Sequence, residues 1–517
     1  MRLVIGVTEL LPQWQILLSQ IGVSFEGIMD VRTLEIEQYS TIIVSSKSDQ
    51  ISKVKLLKYI KEGGTLLCEA HVAKWLFKTN TYKNYVKFIN TDKNTQFPRI
   101  VPGFIQKSLI LPLHATDLTS DLGRKLIQTV QIGNGYAVVL PGGLSSTVLS
   151  CQVTRRNFPS SGPLLPSERV SRQSKNTVRS MVQSVLEYLH SKRNVPFAYL
   201  WPFPDGQETI FNFRIDTDFS TPDKLNTLYD LCCQHDIPAT WFVETGSSES
   251  YIEQFSNMDN QEIGLHGHQH RIWRQYQRNE RDVKKGIDVL LKATISPKGY
   301  ASPFGKWNIS LSKAIEHHGF VYSSEFALDF DDLPFYPYLE DRFSPVLQIP
   351  VHPITTARLR NAHHSTKEMK QYYENFLQLC LRFQFPFFIY DHPTGVNLEV
   401  IKFIFNLVQE HNLQPISLLN YAVWWKRRLA QKMEISFIDN VIVPKVSTID
   451  PTMRLCIRLD NNRWSLVPLK EKIDLDSIQW KTSEAGFDYP VSMAKLSRIH
   501  YKMIVNDFLQ YYWSLSK

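Results

Sequence analysis

The chain has 517 residues, too many for one ordinary hydrophobic core, so two or three domains are expected. Apolar residues make up 43% and charged residues 21%, which are values of a globular protein and exclude a largely disordered chain. The formal charge of +8 is modest, and the sequence has neither a motif of nucleic-acid readers nor an apolar run long enough to span a membrane, so we expect no nucleic-acid partner and no transmembrane segment.

The N-terminal residues read MRLVIGVTELLPQWQ and lack the charged start, apolar run and small-residue cleavage site of a signal peptide. They predict a first β-strand. The six cysteines are scattered and form no CxxC pair, which is typical of free thiols in a reducing compartment. We therefore expect a cytoplasmic protein.

Residues 1–150 alternate short apolar stretches with amphipathic ones, which indicates a parallel sheet with helices on both faces. The predicted strands are Arg2–Val7, Thr41–Ser45, Thr65–Glu69 and Tyr136–Leu140, and the predicted helices include Gln13–Ile21 and Ile51–Ile60. The pattern resembles the flavodoxin-like sheet of glutamine-amidotransferase-type domains. The resemblance predicts a doubly wound α/β accessory domain over residues 1–195.

A basic segment, residues 152–178, ends this part of the chain. Five cationic residues face only Glu168 there, namely Arg155, Arg156, Arg169, Arg172 and Lys175. We interpret the segment as a solvated linker. The alternative is a surface for an anionic sugar, a lipid phosphate or a nucleic acid.

The stretch 196–428 carries eight apolar strand candidates, most of them separated by helical patterns. They are Thr209–Ile215, Ala239–Val243, Glu262–Leu265, Gly299–Ala301, Val321–Glu325, Val346–Val351, Phe385–Tyr390 and Ile416–Leu419. Seven or eight βα units in succession predict a (β/α) barrel. Residues 429–517 then change character, with short antiparallel strand candidates and a helical pattern at Lys495–Trp513, and predict a small β-rich accessory domain with a C-terminal helix.

Polar residues follow several of the barrel strands, and the C-terminal ends of parallel strands converge on one rim. Asp216 and Asp218 follow the first strand, His266 and His270 follow the third, and His392 follows the seventh. Two imidazoles and one carboxylate form a three-ligand metal site that leaves a position open for water or substrate. A second carboxylate can accept a proton from water, and a histidine across the rim can protonate a leaving group.

These residues lie within motifs that resemble the NodB-type polysaccharide deacetylases, carbohydrate esterase family four. The motifs follow in order as RIDTD (214–218), HGHQH (266–270), ASPFG (301–305), SSEFALDFDDLPFYP (323–337) and IYDHP (389–393). The resemblance covers nearly half of the chain. It implies a (β/α)7–8 barrel that carries the catalytic site.

The resemblance also implies roles. Asp216 would be the general base, and Asp218, His266 and His270 would hold Zn²⁺ or another divalent metal such as Co²⁺, Mn²⁺ or Ni²⁺. His392 would be the general acid. The main-chain N–H of Phe304 would help to hold the oxyanion.

Further substrate-site residues follow from the same resemblance and from the position of strand ends. The acidic stretch would supply the carboxylate that orients His392, with Asp329, Asp331 and Asp332 as candidates, and we retain Asp332. His352, at the end of the sixth strand, would line the sugar pocket.

The sequence departs from the family pattern at three positions. Thr217 separates the two aspartates, and Asp391 precedes His392. Ala301 stands where the family has an arginine that pairs with the catalytic base. Arg214 or Lys306 could replace that arginine, and the sequence does not decide between them.

The leading hypothesis is a metal-dependent hydrolase that acts on a non-peptide carbon–nitrogen bond and removes an N-acyl group from an aminosugar. Acetyl is the leading candidate for this group. The sugar would belong to a glycan or be linked to a lipid or a nucleotide. One alternative is a metal hydrolase of a cyclic ureide. The other is a carbohydrate-binding protein with a degenerate site, motivated by Ala301. The oligomeric state is not predicted.

Overall fold

A computed structural model describes most of the chain. The described residues are 1–29, 34–47, 52–91, 95–97, 99–446, 449–460 and 463–482. They divide into two compact units, the first of residues 1–150, 173–207 and 424–482 and the second of residues 151–172 and 208–423. The predicted helix Lys495–Trp513 lies outside the described residues. Within the described part, no helix is both long and apolar enough to cross a membrane.

The strands of the described residues follow one another along both units. In chain order they are β1 (Ile5–Val7), β2 (Phe25–Gly27), β3 (Thr41–Val44), β4 (Thr65–Glu69), β5 (Thr81–Asn90), β6 (Gly103–Pro112), β7 (Asp117–Ser120), β8 (Lys125–Ile132), β9 (Gly135–Leu140), β10 (Val153–Asn157), β11 (Ser167–Ser171), β12 (Phe197–Leu200), β13 (Ile210–Asp216), β14 (Thr240–Val243), β15 (Glu262–Leu265), β16 (Gly299–Tyr300), β17 (Tyr322–Ser323), β18 (Tyr338–Leu339), β19 (Arg342–Phe343), β20 (Leu347–Gln348), β21 (Phe387–Asp391), β22 (Gln414–Pro415), β23 (Met433–Ile438), β24 (Val441–Val446), β25 (Arg454–Arg458), β26 (Arg463–Pro468), β27 (Ile473–Asp474) and β28 (Lys481–Thr482).

The α-helices of the same residues are α1 (Pro12–Ile21), α2 (Lys53–Lys61), α3 (Ala70–Phe77), α4 (Lys175–Lys192), α5 (Pro222–Gln234), α6 (Thr245–Ser248), α7 (Glu253–Ser256), α8 (Tyr276–Lys292), α9 (Ile309–His317), α10 (Thr356–Asn361), α11 (Thr366–Phe383), α12 (Leu398–Glu410) and α13 (Leu418–Ala430). Local sequence sets several of their ends. Pro12 opens α1, and Gly22 closes it in a left-handed conformation at φ 87°. Ser365 and Glu368 form a capping box at the start of α11.

The first unit is a mixed α/β structure. Its sheet has the order β2-β1-β3-β4-β9-β8-β7-β5-β6. The first five strands in this order, β2, β1, β3, β4 and β9, are parallel to one another. The other four, β8, β7, β5 and β6, pair antiparallel with their neighbours. The four predicted strands are present, and each is buried along its whole length or nearly so because both faces of a parallel sheet are covered. The antiparallel strands β5 to β8 were not predicted.

The C-terminal strands correct the predicted domain boundaries. β12 pairs antiparallel with β25, and the main-chain N–H of Leu3 donates to the carbonyl of Ile435 at 2.7 Å. The described part of the predicted domain 429–517 therefore belongs to the first unit. The second unit consists of residues 151–172 and 208–423, where the sequence predicted a domain over residues 196–428. These residues are far apart in the sequence and are joined by main-chain hydrogen bonds. Such bonds leave no local pattern in the sequence from which they could be predicted.

The second unit contains a parallel half-barrel sheet of order β20-β17-β16-β15-β14-β13-β21, with β22 beside β13. Seven of the eight predicted strands are present. The predicted strand Ile416–Leu419 is displaced, because β22 ends at Pro415 and α13 begins at Leu418. Short apolar runs of this kind do not distinguish a strand from a buried helix.

The predicted basic linker is instead largely a β-hairpin, formed by β10 and β11. The main-chain N–H of Ser171 donates to the carbonyl of Phe326 at 2.7 Å, and Glu168 pairs with Arg358 at 2.7 Å. Arg156, read as solvated, is buried and lies 5.0 Å from the centre of the Phe330 ring. The hairpin is therefore part of the second unit and packs against its half-barrel.

Candidate active site

The two aspartates of RIDTD lie at the carboxyl end of β13, between β14 and β21. Asp216 is the last residue of the strand, and Asp218 follows it by two. The two aspartates lie beside the ends of both adjacent strands. Asp216 pairs with Phe242 of β14, and Ile215 pairs with Asp391 of β21. Asp216 is fully buried in this position.

A tight turn after β15 brings two histidines to Asp218. Gly267 takes the left-handed conformation at φ 85°, where a side chain would be strained and its Cβ would lie 3.0 Å from Asp282 Oδ2. His266 Nε2 then lies 3.0 Å from Asp218 Oδ1, and His270 Nε2 lies 2.9 Å from Asp218 Oδ2. The predicted HxxxH pair therefore converges on the second aspartate.

Helix α8 fixes this turn through a residue that the sequence analysis did not single out. Asp282 accepts hydrogen bonds from the main-chain N–H of His268 at 3.0 Å and of Gln269 at 2.8 Å. Burial raises the pKa of Asp282 to about 7, although the two N–H bonds act to lower it. Asp282 lies 12 residues beyond the motif at His270, and that spacing carries no recognisable signal.

The three converging residues have the donor set of a divalent metal site. The ligand atoms of Asp218, His266 and His270 all lie within 4.8 Å of one another. Asp218 Oδ1 and His270 Nε2 are buried but make no hydrogen bond of acceptable geometry among the described residues. His266 Nδ1 is 2.8 Å from the carbonyl of Ala301, so it carries the proton of the neutral ring and leaves Nε2 available as a ligand. These features fit a metal ion held between the three side chains.

Electrostatics keep both aspartates ionised. Burial acts to raise the pKa of Asp216, but the Arg214 guanidinium, His266 and His392 outweigh it and lower that pKa. Burial also acts to lower the pKa of His266, while the two aspartates raise it to about 9. A metal ion would compete with this proton for His266 Nε2.

Arg214 is the cation that pairs with Asp216. Its Nε lies 2.8 Å from Oδ1 and its Nη2 lies 2.7 Å from Oδ2, a bidentate pair. The two side chains are two residues apart on β13 and so point to the same face. The guanidinium is buried and lies 5.0 to 5.4 Å from three aromatic ring centres, those of Phe242, Phe326 and Tyr390. Lys306, the other candidate, lies instead with Nζ 5.2 Å from the centre of the Phe304 ring.

His392 reaches the same rim from β21. Its Nε2 lies 3.6 Å from Asp218 Oδ2, and its side chain is 27% exposed, so it borders both the metal ligands and solvent. The main-chain N–H of His392 donates to Asp391 Oδ1 at 2.9 Å, and Asp391 Oδ2 accepts from the N–H of Thr356 at 2.9 Å. Asp391 thus holds the segment that carries His392.

The ASPFG loop forms the other side of the mouth. Phe304 takes a left-handed conformation at φ 57°, and its half-exposed ring lies 4.2 Å from that of His270. Phe219 is also exposed, at 5.3 Å from the His270 ring. Glu325 accepts hydrogen bonds from both the main-chain N–H and the hydroxyl of Ser302 and so fixes the start of the loop. Phe219 and Glu325 were not predicted. Phe219 lies just outside the RIDTD motif, and in the acidic stretch that contains Glu325 the candidates were Asp329, Asp331 and Asp332.

The sequence of this region matches a protein-family model. Residues 214–323 match the model described as polysaccharide deacetylase.

Residues 214–323 are a polysaccharide deacetylase domain.

This match confirms the predicted resemblance and the prediction of a hydrolase of the deacetylase type acting on carbon–nitrogen bonds. No curated protein matches the chain.

Several solved structures resemble the deacetylase domain at low identity. A Mycobacterium smegmatis protein of the polysaccharide deacetylase type is 15% identical, with TM-score 0.37, covering 44% of this chain and 93% of that chain. Puue allantoinase is 14% identical, with TM-score 0.36, covering 43% and 91%. A family 4 carbohydrate esterase from Streptomyces lividans is 14% identical, with TM-score 0.29, covering 40% and 92%.

Two of the predicted substrate residues, His352 and Asp332, are buried. His352 is buried, with Nδ1 2.9 Å from Asp331 Oδ1, Nε2 2.9 Å from the hydroxyl of Tyr372, and its ring 3.9 Å from that of Phe376. Asp332 is fully buried, and His392 lies near Asp218 and Asp391, with Nε2 3.6 Å from Asp218 Oδ2 and its main-chain N–H donating to Asp391 Oδ1. His352 and Asp331 therefore belong to the packing behind the site.

Proposed function

We propose that the chain is a metal-dependent hydrolase that removes an N-acyl group from an aminosugar in a glycan or on a lipid or nucleotide carrier. Acetyl is the leading candidate for the acyl group. One observation carries the proposal. Asp218, His266 and His270 converge within 4.8 Å at the mouth of the deacetylase domain, and Asp216 and His392 flank them. This set supplies metal ligands, a base and an acid at one rim.

Each side chain would have a separate task. Asp218, His266 and His270 would hold Zn²⁺, or another divalent ion such as Co²⁺, Mn²⁺ or Ni²⁺. The bound ion would act as a Lewis acid toward the acyl carbonyl and water. Asp216 would accept the proton of the attacking water, and His392 would donate a proton to the departing nitrogen.

The oxyanion of the tetrahedral intermediate would face the ASPFG loop. The main-chain N–H of Phe304 would donate to it, and a donor fixed in place before the reaction stabilises developing charge. The half-exposed rings of Phe219 and Phe304 would contact the sugar on either side of His270.

The pairing of Arg214 with Asp216 supports an active site over a degenerate one. The doubt raised by Ala301 was that the base would lack a cationic partner. Arg214 supplies that partner from the same strand, in a bidentate geometry and buried among aromatic rings. We therefore do not retain the binding-protein alternative.

The predicted roles of the two aspartates can be separated by experiment. Asp216→Asn should abolish hydrolysis of N-acetylated aminosugars while the bound metal remains, because Asp216 transfers a proton and is not a ligand. Asp218→Asn should instead lower metal content. Turnover by the purified chain and by both variants would be measured with metal analysis of the same samples.

A reversal, in which Asp216→Asn loses metal and Asp218→Asn keeps it, would exchange the two roles. Hydrolysis of a cyclic ureide but of no acylated aminosugar would reject the proposed substrate class. The proposal also includes a flavodoxin-like accessory domain over residues 1–195 and a cytoplasmic location.

A further inference from the structure

A cavity of about 390 Å³ opens within the second unit, and the described residues that line it include five cations and no carboxylate. We call it the cationic pocket. Its cations are Arg169, Arg271, Arg274, Arg278 and Lys306.

The cationic pocket begins one residue beyond the candidate active site. Arg271 follows the metal-ligand position His270, and Gly305 and Lys306 follow Phe304. Lys306 Nζ is 5.2 Å from the centre of the Phe304 ring, which is 4.2 Å from that of His270. The cationic pocket therefore borders the candidate active site at Phe304 and His270.

Three of the cations that line the pocket are half-buried. They are Arg169, Arg271 and Lys306. Burial first, and then the charges of Arg169 and Arg271, lower the pKa of Lys306. Like charges held this closely repel one another, and a bound anion would offset that repulsion.

One wall of the pocket comes from outside the matched family domain. Arg169 and Val153 belong to the hairpin of β10 and β11, whereas the family match covers residues 214–323. The hairpin is held against the half-barrel by the Glu168–Arg358 ion pair at 2.7 Å. Arg169 therefore completes the pocket as an addition to the deacetylase domain.

We propose that the cationic pocket binds a phosphate group carried by the acylated aminosugar, an inference that rests on the proposed function. Each guanidinium presents a planar fork of N–H donors that matches phosphate oxygens, and the ammonium of Lys306 adds a point charge. A phosphate ester or diphosphate carries the multiple charge that several converging cations favour, whereas a carboxylate carries one. Trp273 and Trp307 add flat apolar surface to the same walls.

Binding of inorganic pyrophosphate to the full chain tests the pocket without reference to turnover. Calorimetry at low salt would compare the wild type with Arg169→Gln and Lys306→Gln, in metal-loaded and chelator-treated protein. Each substitution should weaken binding about tenfold or more, because each removes one charge-assisted contact. The matched control is Arg172→Gln, since Arg172 ends the same hairpin but pairs with Gln152 at 3.0 Å and does not line the pocket.

Three results would overturn the inference. They are an absence of pyrophosphate binding, an equal loss in the Arg172→Gln control, and binding that disappears when the metal is chelated. Melting curves of each variant would be recorded, and a fold defect in one of the two pocket variants leaves the other to decide.

Substrate kinetics identify what carries the phosphate. KM would be compared for an N-acetylated aminosugar, its 1-phosphate, its nucleoside diphosphate and lipid diphosphate forms, and a carboxylated analogue. The phosphorylated forms should have KM values about tenfold lower than that of the unphosphorylated aminosugar. In Arg169→Gln, the ratio of the KM values of the unphosphorylated and phosphorylated forms should approach one. The lowest KM among the phosphorylated forms identifies the carrier, and a preference for the carboxylated analogue would refute phosphate recognition. Pyrophosphate binding with the predicted variant pattern but no turnover of any substrate would refute the proposed function and leave the pocket assignment intact.

Discussion

Three histidines of one five-residue segment have different surroundings. His266 and His270 both reach Asp218, whereas His268 lies between them with Nδ1 3.1 Å from the hydroxyl of Thr245. The left-handed turn at Gly267 separates them, because it redirects the chain directly after His266. The segment therefore offers two ligand positions and, at His268, an internal control.

Metal content should depend on the outer two histidines alone. The purified chain should carry about one zinc or similar ion, and His266→Ala or His270→Ala should remove it because a three-ligand site loses one donor. His268→Ala should retain the metal. Metal analysis of the four proteins after identical dialysis measures this, and stoichiometric metal in both His266→Ala and His270→Ala would exclude the assigned site.

Glu325 makes the stability of the second unit depend on pH. Burial raises its pKa to about 7, against the lowering effects of Ser302, Arg214 and His266. Since this folded-state pKa lies above the ordinary value of 4.5, the stability that the neutral carboxyl provides is complete below about pH 4.5. It is lost as the pH rises through 7, where the buried group becomes charged.

Glu325→Gln is neutral at every pH and keeps an acceptor for Ser302. The free energy of unfolding of Glu325→Gln minus that of the wild type should increase between pH 5 and pH 8, by up to ~3 kcal/mol. Urea denaturation at both pH values measures the difference. The exposed Glu253→Gln serves as control and should show no such gain, and a Glu325→Gln effect of equal size at both pH values would contradict the argument.

At the scale of elements, helix α8 connects packing to the site through Asp282. The helix lies after the HGHQH turn, and its Asp282 carboxylate accepts two of the N–H groups that the turn exposes. Without this partner, those two N–H donors would lose their acceptor and the turn would lose the contacts that hold its geometry. The position of His270 thus depends on a residue that touches no ligand atom.

Asp282→Asn should lower metal affinity about 10- to 100-fold, because an amide oxygen replaces one acceptor of the pair and its NH₂ group opposes the other donor. Competition with a fluorescent chelator measures the affinity. Asp288→Asn on the same helix is the matched control, since Asp288 is exposed and pairs with Lys284 at 3.5 Å. Equal affinities for the two variants would show that the turn does not need Asp282.

The elements themselves show what sequence can and cannot predict. The sequence could place seven strands of the half-barrel, because each is a short apolar stretch between helical patterns. It could also place the polar groups that follow these strands, namely Asp216, Asp218, His266, His270 and His392. The choice between Arg214 and Lys306 could not be made. It depends on Phe242, Phe326 and Tyr390, which pack around the guanidinium from three other segments.

Domain boundaries were the least predictable feature at the scale of the whole molecule. The first unit is assembled from three separate stretches of chain, which the sequence pattern alone divides among three predicted domains. Arg428 illustrates the reason. It is buried in α13, and its guanidinium donates to the carbonyls of Leu200 at 2.6 Å and Ser19 at 3.1 Å. Such long-range bonds leave no periodicity in the sequence.

The pairing of β12 with β25 also sets an order for assembly during synthesis. Leu200 leaves the ribosome about 250 residues before Leu455, its partner on β25, which at typical elongation rates is roughly 10 to 50 s. During that interval β12 lacks its strand partner β25, and the described residues 208–423 of the second unit are made within it. The nascent chain thus completes the described residues of the second unit before β12 gains its strand partner, and an unpaired strand edge is the kind of surface that chaperones cover and that aggregation exploits.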